Sequence, residues 1–309
     1  MTVTFRNFTN EPGFSDDFHR VRDFLVRINR KNPIPHYHFE WGRWEWAFSL
    51  PFLDTANQHR IGIWEDDGEI VALATFEDKL GAAYFCVDEA YQFLKPDMLI
   101  YVRDHLRDAD GNLKVLINNA DREFQLIAAR HGFVPTQDRE AVSMMDIDLE
   151  AIRYMLPAGY TITSLADDLD LLKFNRVLWR GFNHEGEPPT TPEDLEGRRK
   201  SLSGPHLDLN LCIAVVSPEG EYASYCGMWY EKATEYALVE PVATDPKYRK
   251  LGLGKAAVLE GIRRCGQLGA KQAYVGSSQQ FYYQIGFQPL PAGTFWEIQL
   301  SGSFITRSI

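Results

Sequence analysis

Apolar residues recur at helical spacing in two places along the chain. Phe18, Val21, Leu25 and Ile28 mark Asp17–Asn29, and Leu171, Phe174, Leu178 and Phe182 mark Asp170–Asn183. This spacing predicts an amphipathic helix in each segment. A short β-prone run precedes each helix, Val3–Phe8 in one case and Tyr160–Thr163 in the other. Further on, Trp64-Glu65-Asp66-Asp67-Gly68-Glu69 and Ser217-Pro218-Glu219-Gly220-Glu221 carry the signals of a hairpin turn. The two Gly-Glu pairs lie 152 residues apart, and Gly132-Phe133 recurs 154 residues later as Gly286-Phe287. Each half therefore reads strand, helix, hairpin, strand, helix, strand, helix ending in Gly-Phe, strand. A constant offset of this kind predicts two copies of one α/β domain. The strand Ala141–Asp148 is expected to close the first copy. Leu156-Pro157-Ala158-Gly159 then punctuates the chain. The expected domains span residues 1–152 and 153–309.

Composition narrows the class. A chain of 309 residues suits two domains, and 45% apolar residues can fill their cores. The net charge of −11 argues against a nucleic-acid partner, which requires a basic face, and is compatible with a cationic small molecule. Cys86, Cys212, Cys226 and Cys265 form no C-x-x-C pair and read as a reduced set, not a disulfide framework or zinc site. The N-terminus lacks a signal-peptide pattern, and no apolar run approaches a membrane span. A cytoplasmic location without a membrane partner is expected.

The chemistry concentrates in Glu240-Pro241-Val242-Ala243-Thr244-Asp245-Pro246-Lys247-Tyr248-Arg249-Lys250-Leu251-Gly252-Leu253-Gly254-Lys255. A strand over Tyr236–Thr244 leads through an Asp-Pro turn to Arg-x-x-Gly-x-Gly. A helix follows from about Leu253 to Cys265 and ends at Gly266. A glycine-rich turn at a helix N-terminus presents unpaired N–H groups and the positive end of the helix dipole, which together suit a pyrophosphate. Gly252 and Gly254 let the backbone approach it, and Arg249, Lys250 and Lys255 add positive charge. A dinucleotide fold would need G-x-G-x-x-G and an acidic residue further on; Gly254 is followed by Lys-Ala-Ala, and no acid closes Gln272–Val275. The spacing of a P-loop is also absent.

This loop resembles the coenzyme A loop of GNAT acetyltransferases. So does Phe281-Tyr282-Tyr283-Gln284-Ile285-Gly286-Phe287, which is similar to the family's second signature. The resemblance implies two tandem GNAT folds of mixed α/β class, each a mostly antiparallel sheet flanked by helices. It implies acetyl-CoA as cosubstrate, no metal, and a primary amine of a small molecule as acceptor, attacking directly in a ternary complex. It places the amides of Lys250, Leu251, Gly252, Leu253, Gly254 and Lys255 on the pyrophosphate, with Arg249 beside them. The main chain of Val242, Ala243 and Thr244 would pair with pantetheine as an added strand. Tyr282 would protonate the departing thiolate, with Tyr283 as the fallback. An acceptor base often lies nine or eleven residues before the loop arginine, at Glu240 or Leu238 here, and only Glu240 can take a proton. Family members commonly have an Asn before the tyrosine; Ser277, Ser278 and Gln279 stand there instead, and that contact stays open. Another acyl-CoA donor, or a non-catalytic acetyl-CoA sensor, fits the same loop. A monomer or a homodimer is expected.

The first copy lacks these elements. No glycine occurs from Ala82 to Asp110, and Ala128 stands where Tyr282 does in the second. It is expected to be non-catalytic. The stretch His36–Phe48 is rich in aromatics; its H-x-H has no further ligands at metal spacing, and Trp41, Trp44 and Phe48 fit one packed helix face or a pocket wall. Glu185, Glu187, Glu231 and Glu235 read as surface acids or as the rim of the acceptor pocket.

Overall fold

The computed structural model describes residues 2–9, 11–31 and 39–298; His36 and His38 lie outside them. The first half runs β1 (Thr4–Asn7), α1 (Asp16–Lys31), α2 (Trp41–Ser49), β2 (Gly62–Asp66), β3 (Glu69–Thr75), β4 (Ala82–Val87), α3 (Lys95–His105), β5 (Lys114–Asn118), α4 (Arg122–Arg130), β6 (Phe133–Glu140) and β7 (Ser143–Asp146). The second half repeats the order as β8 (Thr161–Ser164), α5 (Leu171–Gly181), α6 (Pro192–Lys200), β9 (Ile213–Val216), β10 (Tyr222–Tyr230), β11 (Tyr236–Thr244), α7 (Leu253–Leu268), β12 (Gln272–Val275), α8 (Gln280–Gln284), β13 (Gln288–Pro289) and β14 (Gly293–Ile298). The repeated marks have repeated causes. Asp67 and Gly68 both take positive φ in the tight β2–β3 turn, and Gly132 and Gly286 do so just after α4 and α8. The phenylalanines after them, Phe133 and Phe287, are buried.

Two seven-stranded sheets result, ordered β1-β2-β3-β4-β5-β14-β6 and β8-β9-β10-β11-β12-β7-β13. Among the described residues only β4–β5 and β11–β12 are parallel pairs; the others are antiparallel. Each sheet holds a strand from the other half. The strand expected over Ala141–Asp148 is Ser143–Asp146, and it belongs to the second sheet rather than closing the first. It lies between β12 and β13, with Ser143 opposite Val275 and Pro289. Its place between β5 and β6 is taken by β14, with Gly293 opposite Asn118 and Glu140. The link between β6 and β7 is compatible with this. To fold back on β6, β7 would need a reversal at Ala141-Val142, which carries none of the Gly, Asn, Asp or Pro that such turns use. The chain instead runs on from one sheet into the other.

The cores merge accordingly. Trp229, Tyr236, Leu238, Tyr274 and Trp296 of the second half belong to the hydrophobic cluster built on Phe18, Leu25, Trp44 and Leu73 of the first. Helix α2 lies directly on β10: a Cβ at Gly42 would meet the Trp229 Cβ at 2.7 Å. Trp41 packs edge-on to Trp229 with centroids 6.2 Å apart. Arg22 sits 5.0 Å over the Trp41 ring and pairs with Glu45 of α2 and with Glu231 beyond β10. Glu45 in turn holds His206 of the second half.

Helix α7 extends past the expected end. Gly269, at φ 115°, caps it rather than Gly266. Gly266 serves close packing instead, since a Cβ there would lie 2.7 Å from Ile147 Cγ2 in the segment joining the halves. That segment is also anchored by Tyr154, whose hydroxyl donates to Glu260 at 2.6 Å.

Because each sheet needs a strand from the other half, the halves should not part. A protease site placed at Ala158-Gly159 and cut to completion is expected to leave two fragments that co-elute in gel filtration and separate only in denaturant. Fragments that separate under native conditions would contradict the exchange.

Candidate active site

Strand β11 pairs with β12 only over Tyr236–Leu238. From Val239 to Thr244 its outer edge is open, because β12 ends at Val275 and the chain turns away. The Asp245 amide donates to Ala223 on β10 at 3.1 Å, so alternation turns Thr244 and Val242 towards the open side. Opposite Glu240-Pro241 the register with β10 slips between Cys226 and Met228. Gly227 permits this bulge, as a Cβ there would sit 2.6 Å from the Glu240 carbonyl oxygen. The Trp229 indole donates to that same carbonyl at 3.1 Å.

At the end of β11 the expected loop is in place. Lys250 and Gly252 both adopt positive φ, 65° and 81°, and Gly252 caps α7 without a side-chain partner. Among the described residues, none of the amides from Lys250 to Lys255 finds a protein acceptor; the first helical bond is Ala256 N–H to Gly252 at 3.0 Å. Consecutive free donors at the start of a sixteen-residue helix suit a diphosphate. Gly254 adds close approach: a Cβ there would stand 3.0 Å from Thr244 Oγ1. Arg249, exposed beside the loop, also has a structural task. Its guanidinium donates to the carbonyls of Thr244 and Gly181 at 3.1 and 2.9 Å and to Asn183 Oδ1 at 2.8 Å. It ties the loop to β11 and to the end of α5. Lys250 and Lys255 are exposed beside the free amides, as is Leu251; Leu253 is buried in the core.

Tyr282 is buried against Phe281 and Phe287, with centroids 5.0 and 5.6 Å away. Burial, with added repulsion from Cys226 and Glu240, pushes its phenol well above the ordinary tyrosine range. It therefore carries its proton at any working pH. Tyr283 is half-buried on a different part of α8. Glu240 is enclosed between the two halves, and burial pushes its carboxyl up to about 7, with Arg43 opposing the shift and Glu77 adding to it. Ser277 is used locally, accepting from the Gln279 amide at 3.2 Å, while Ser278 and Gln279 are exposed.

Two cavities of about 310 and 300 Å³ meet at Trp46, Leu50, Phe52 and Glu240. The first three belong to the first half, so that half walls the site. One arm is acidic, with Glu40, Glu77, Asp78 and Glu140 around Arg43. Arg43 pairs with Glu77 and Glu140 and lies 4.8 and 4.7 Å over Phe39 and Tyr84. The other arm is largely apolar, lined by Phe174, Leu178, Phe182, Tyr225 and Trp229 with Arg198. Sequence reasoning missed Arg43 and its carboxylates because Glu40, Glu77 and Glu140 lie on three separate segments with no common spacing. The one available signal was a lone arginine inside an aromatic stretch. Of that stretch, Trp41, Trp44 and Phe48 are core, and Trp46 faces the cavities. Glu187 and Glu235 are exposed surface pairs with Arg180 and Lys271 at 2.8 and 2.7 Å; Glu185 is exposed, and Glu231 joins the halves through Arg22.

The matching place in the first half differs. Glu89–Leu94 forms a 3₁₀ turn instead of a glycine loop. Between β4 and β5 only about 40 Å³ remains, among Phe39, Tyr84, Phe85 and Leu116. Ala128 stands buried at the position of Tyr282.

Residues 172–287 match the sequence model of the acetyltransferase (GNAT) family. No curated protein matches the chain. Among solved structures, a tandem GNAT protein from the clavulanic acid biosynthesis pathway is similar at TM-score 0.61 and 14% identity, over 98% of this chain and 100% of that one. An acetyltransferase from the GNAT family of Colwellia psychrerythraea aligns at 0.57 and 11%, over 96% and 100%. A GCN5-related N-acetyltransferase from Sphaerobacter thermophilus aligns at 0.55 and 16%, over 96% and 95%. Residues 172–287 are thus similar in sequence to the GNAT acetyltransferases, and the chain as a whole has a fold like that of tandem GNAT proteins. Among the described residues no helix is long and apolar enough to cross a membrane, and no group of three or more His, Cys, Asp or Glu could hold a metal ion.

Glu40 allows the electrostatics to be tested. Burial pushes its carboxyl up to about 7 from 4.5, against the opposing effect of Arg43. A raised native pKa gives stability that is complete below about 4.5 and lost as pH rises through about 7. Glu40→Gln should therefore match the wild type in denaturant titrations near pH 4 and exceed it by roughly 3 kcal/mol above pH 8. A stability difference that does not change with pH would contradict this.

Proposed function

We propose that the second half transfers an acetyl group from acetyl-CoA to a primary amine of a small molecule, by direct attack in a ternary complex. The observation that carries this reading is the open edge of β11 running into six free amides at the α7 N-terminus, with Glu240 near enough to Tyr282 to raise its phenol further. The edge suits the amide groups of pantetheine, and the amides suit the diphosphate. The acceptor nitrogen forms a bond to the acetyl carbon as the carbon–sulfur bond breaks. Glu240, directly or through a water, takes the proton that the amine gives up. Tyr282 gives its proton to the departing sulfur. A carboxyl that titrates near 7 is a stronger base than an ordinary glutamate and is about half ionised at neutral pH.

The first half is the non-catalytic partner in this reading. Its loop position is a closed turn and its cleft is filled by aromatic side chains. Its contribution is the wall of the acceptor site.

Coenzyme A release should depend on an added amine. The log of kcat/KM should rise with pH and level off above about 7, as Glu240 ionises. Glu240→Gln should lower kcat/KM by about 10²-fold or more and remove that pH limb, and Tyr282→Phe should lower kcat by about 10²-fold. Unchanged rates in both variants, or release of coenzyme A that ignores the amine, would contradict these roles.

A further inference from the structure

The two cavities that meet at Glu240 carry opposite charge. In the acidic arm Glu77 and Glu140 share one guanidinium, Arg43, which leaves that triad one negative charge in excess. Asp78 adds a carboxylate with no cation paired to it among the described residues. Glu40 also lines this arm; it is 8% exposed, and no donor from another residue reaches its carboxyl among the described residues. A buried carboxyl without a donor is costly unless a cation arrives. Burial holds part of the Glu40 population neutral near pH 7, and an incoming cation would draw it into the charged form.

In the apolar arm the imbalance is reversed. Arg198 on α6 is partly buried among Phe174, Leu202, Leu207 and Tyr225. Its Nε donates to Asn175 Oδ1 at 3.1 Å, and the guanidinium lies 5.8 Å over the Phe174 ring. No carboxylate pairs with it among the described residues, and burial lowers its pKa. A guanidinium with free N–H groups in apolar surroundings is built to take a carboxylate.

We propose that the acceptor is a basic amino acid or close analogue: its carboxylate rests on Arg198, its reacting amine lies at Glu240, and its distal ammonium enters the acidic arm of the first half. This rests on the amine acetylation proposed above. It gives the non-catalytic half a task, since Glu40, Arg43, Glu77, Asp78 and Glu140 all come from it. Glu240 lines both arms, so a molecule that spans them presents its middle to the base.

Four probes separate the two charges. Ornithine carries both, putrescine lacks the carboxylate, norvaline lacks the distal amine, and butylamine lacks both. Each is titrated calorimetrically into the full chain saturated with coenzyme A, so that no transfer occurs. Ornithine should bind most tightly, with putrescine and norvaline each weaker by on the order of tenfold. Glu40→Gln should bring the ornithine-to-norvaline ratio towards one, and Arg198→Met the ornithine-to-putrescine ratio. Ornithine binding no tighter than putrescine, or no tighter than norvaline, in the wild type overturns the proposal without any variant. Ratios that the variants leave unmoved overturn it as well. The readout is binding, so a lack of turnover would count against the transfer reaction and not against this selectivity.

Discussion

Everything at this site depends on the exchange of β7 and β14 between the sheets. Each half lends the strand that fills the gap beside the other's fifth strand, so the two sheets share backbone hydrogen bonds and one hydrophobic cluster. The exchange sets α2 against β10 at a distance that only glycine at position 42 allows. With α2 fixed, Trp46, Leu50 and Phe52 cover the face of β11 that carries Glu240. A half standing alone would leave that glutamate open to water, with the pKa of an ordinary surface carboxyl. The enclosure that raises its pKa is therefore a property of the pair of halves.

The same enclosure sorts the charged groups. Arg43 is held by two carboxylates and two aromatic rings. It lowers the pKa of Glu40 and Glu240 less than burial raises it, and both carboxyls come to rest at about 7. Tyr282 is under the same constraint: losing its proton beside Glu240 would place a second negative charge in a buried space, so it keeps the proton. Burial thus favours the neutral form of both groups, and in the proposed reaction Glu240 takes a proton while Tyr282 starts with one.

Much of this was legible in the sequence. The strand Tyr236–Thr244 and the strand Gln272–Val275 fall where patterning put them, because short apolar runs and the Asp-Pro turn are local signals. The loop glycines were legible for the same reason: Gly252 needs positive φ and Gly254 needs close approach, and both requirements are met within a few residues. What escaped were contacts between distant segments. The strand at Ser143–Asp146 carries the right pattern, but nothing local says which sheet it joins. Arg249 reads as a counter-charge by motif, and nothing local told that its guanidinium also ties Thr244, Gly181 and Asn183 together. Gly266 reads as a helix stop, yet it serves a close approach to Ile147. The acidic arm draws on three segments that only the fold brings together.

The central claim is that one of the two copies has a working loop and the other supplies its wall. Calorimetric titration of acetyl-CoA into the wild-type chain, read for stoichiometry, tests it most directly. One site per chain is predicted, lost when Gly252 and Gly254 are both replaced by valine in a chain that still unfolds cooperatively. Two sites per chain, or one site that survives the double replacement, would place binding in the first half and contradict the claim.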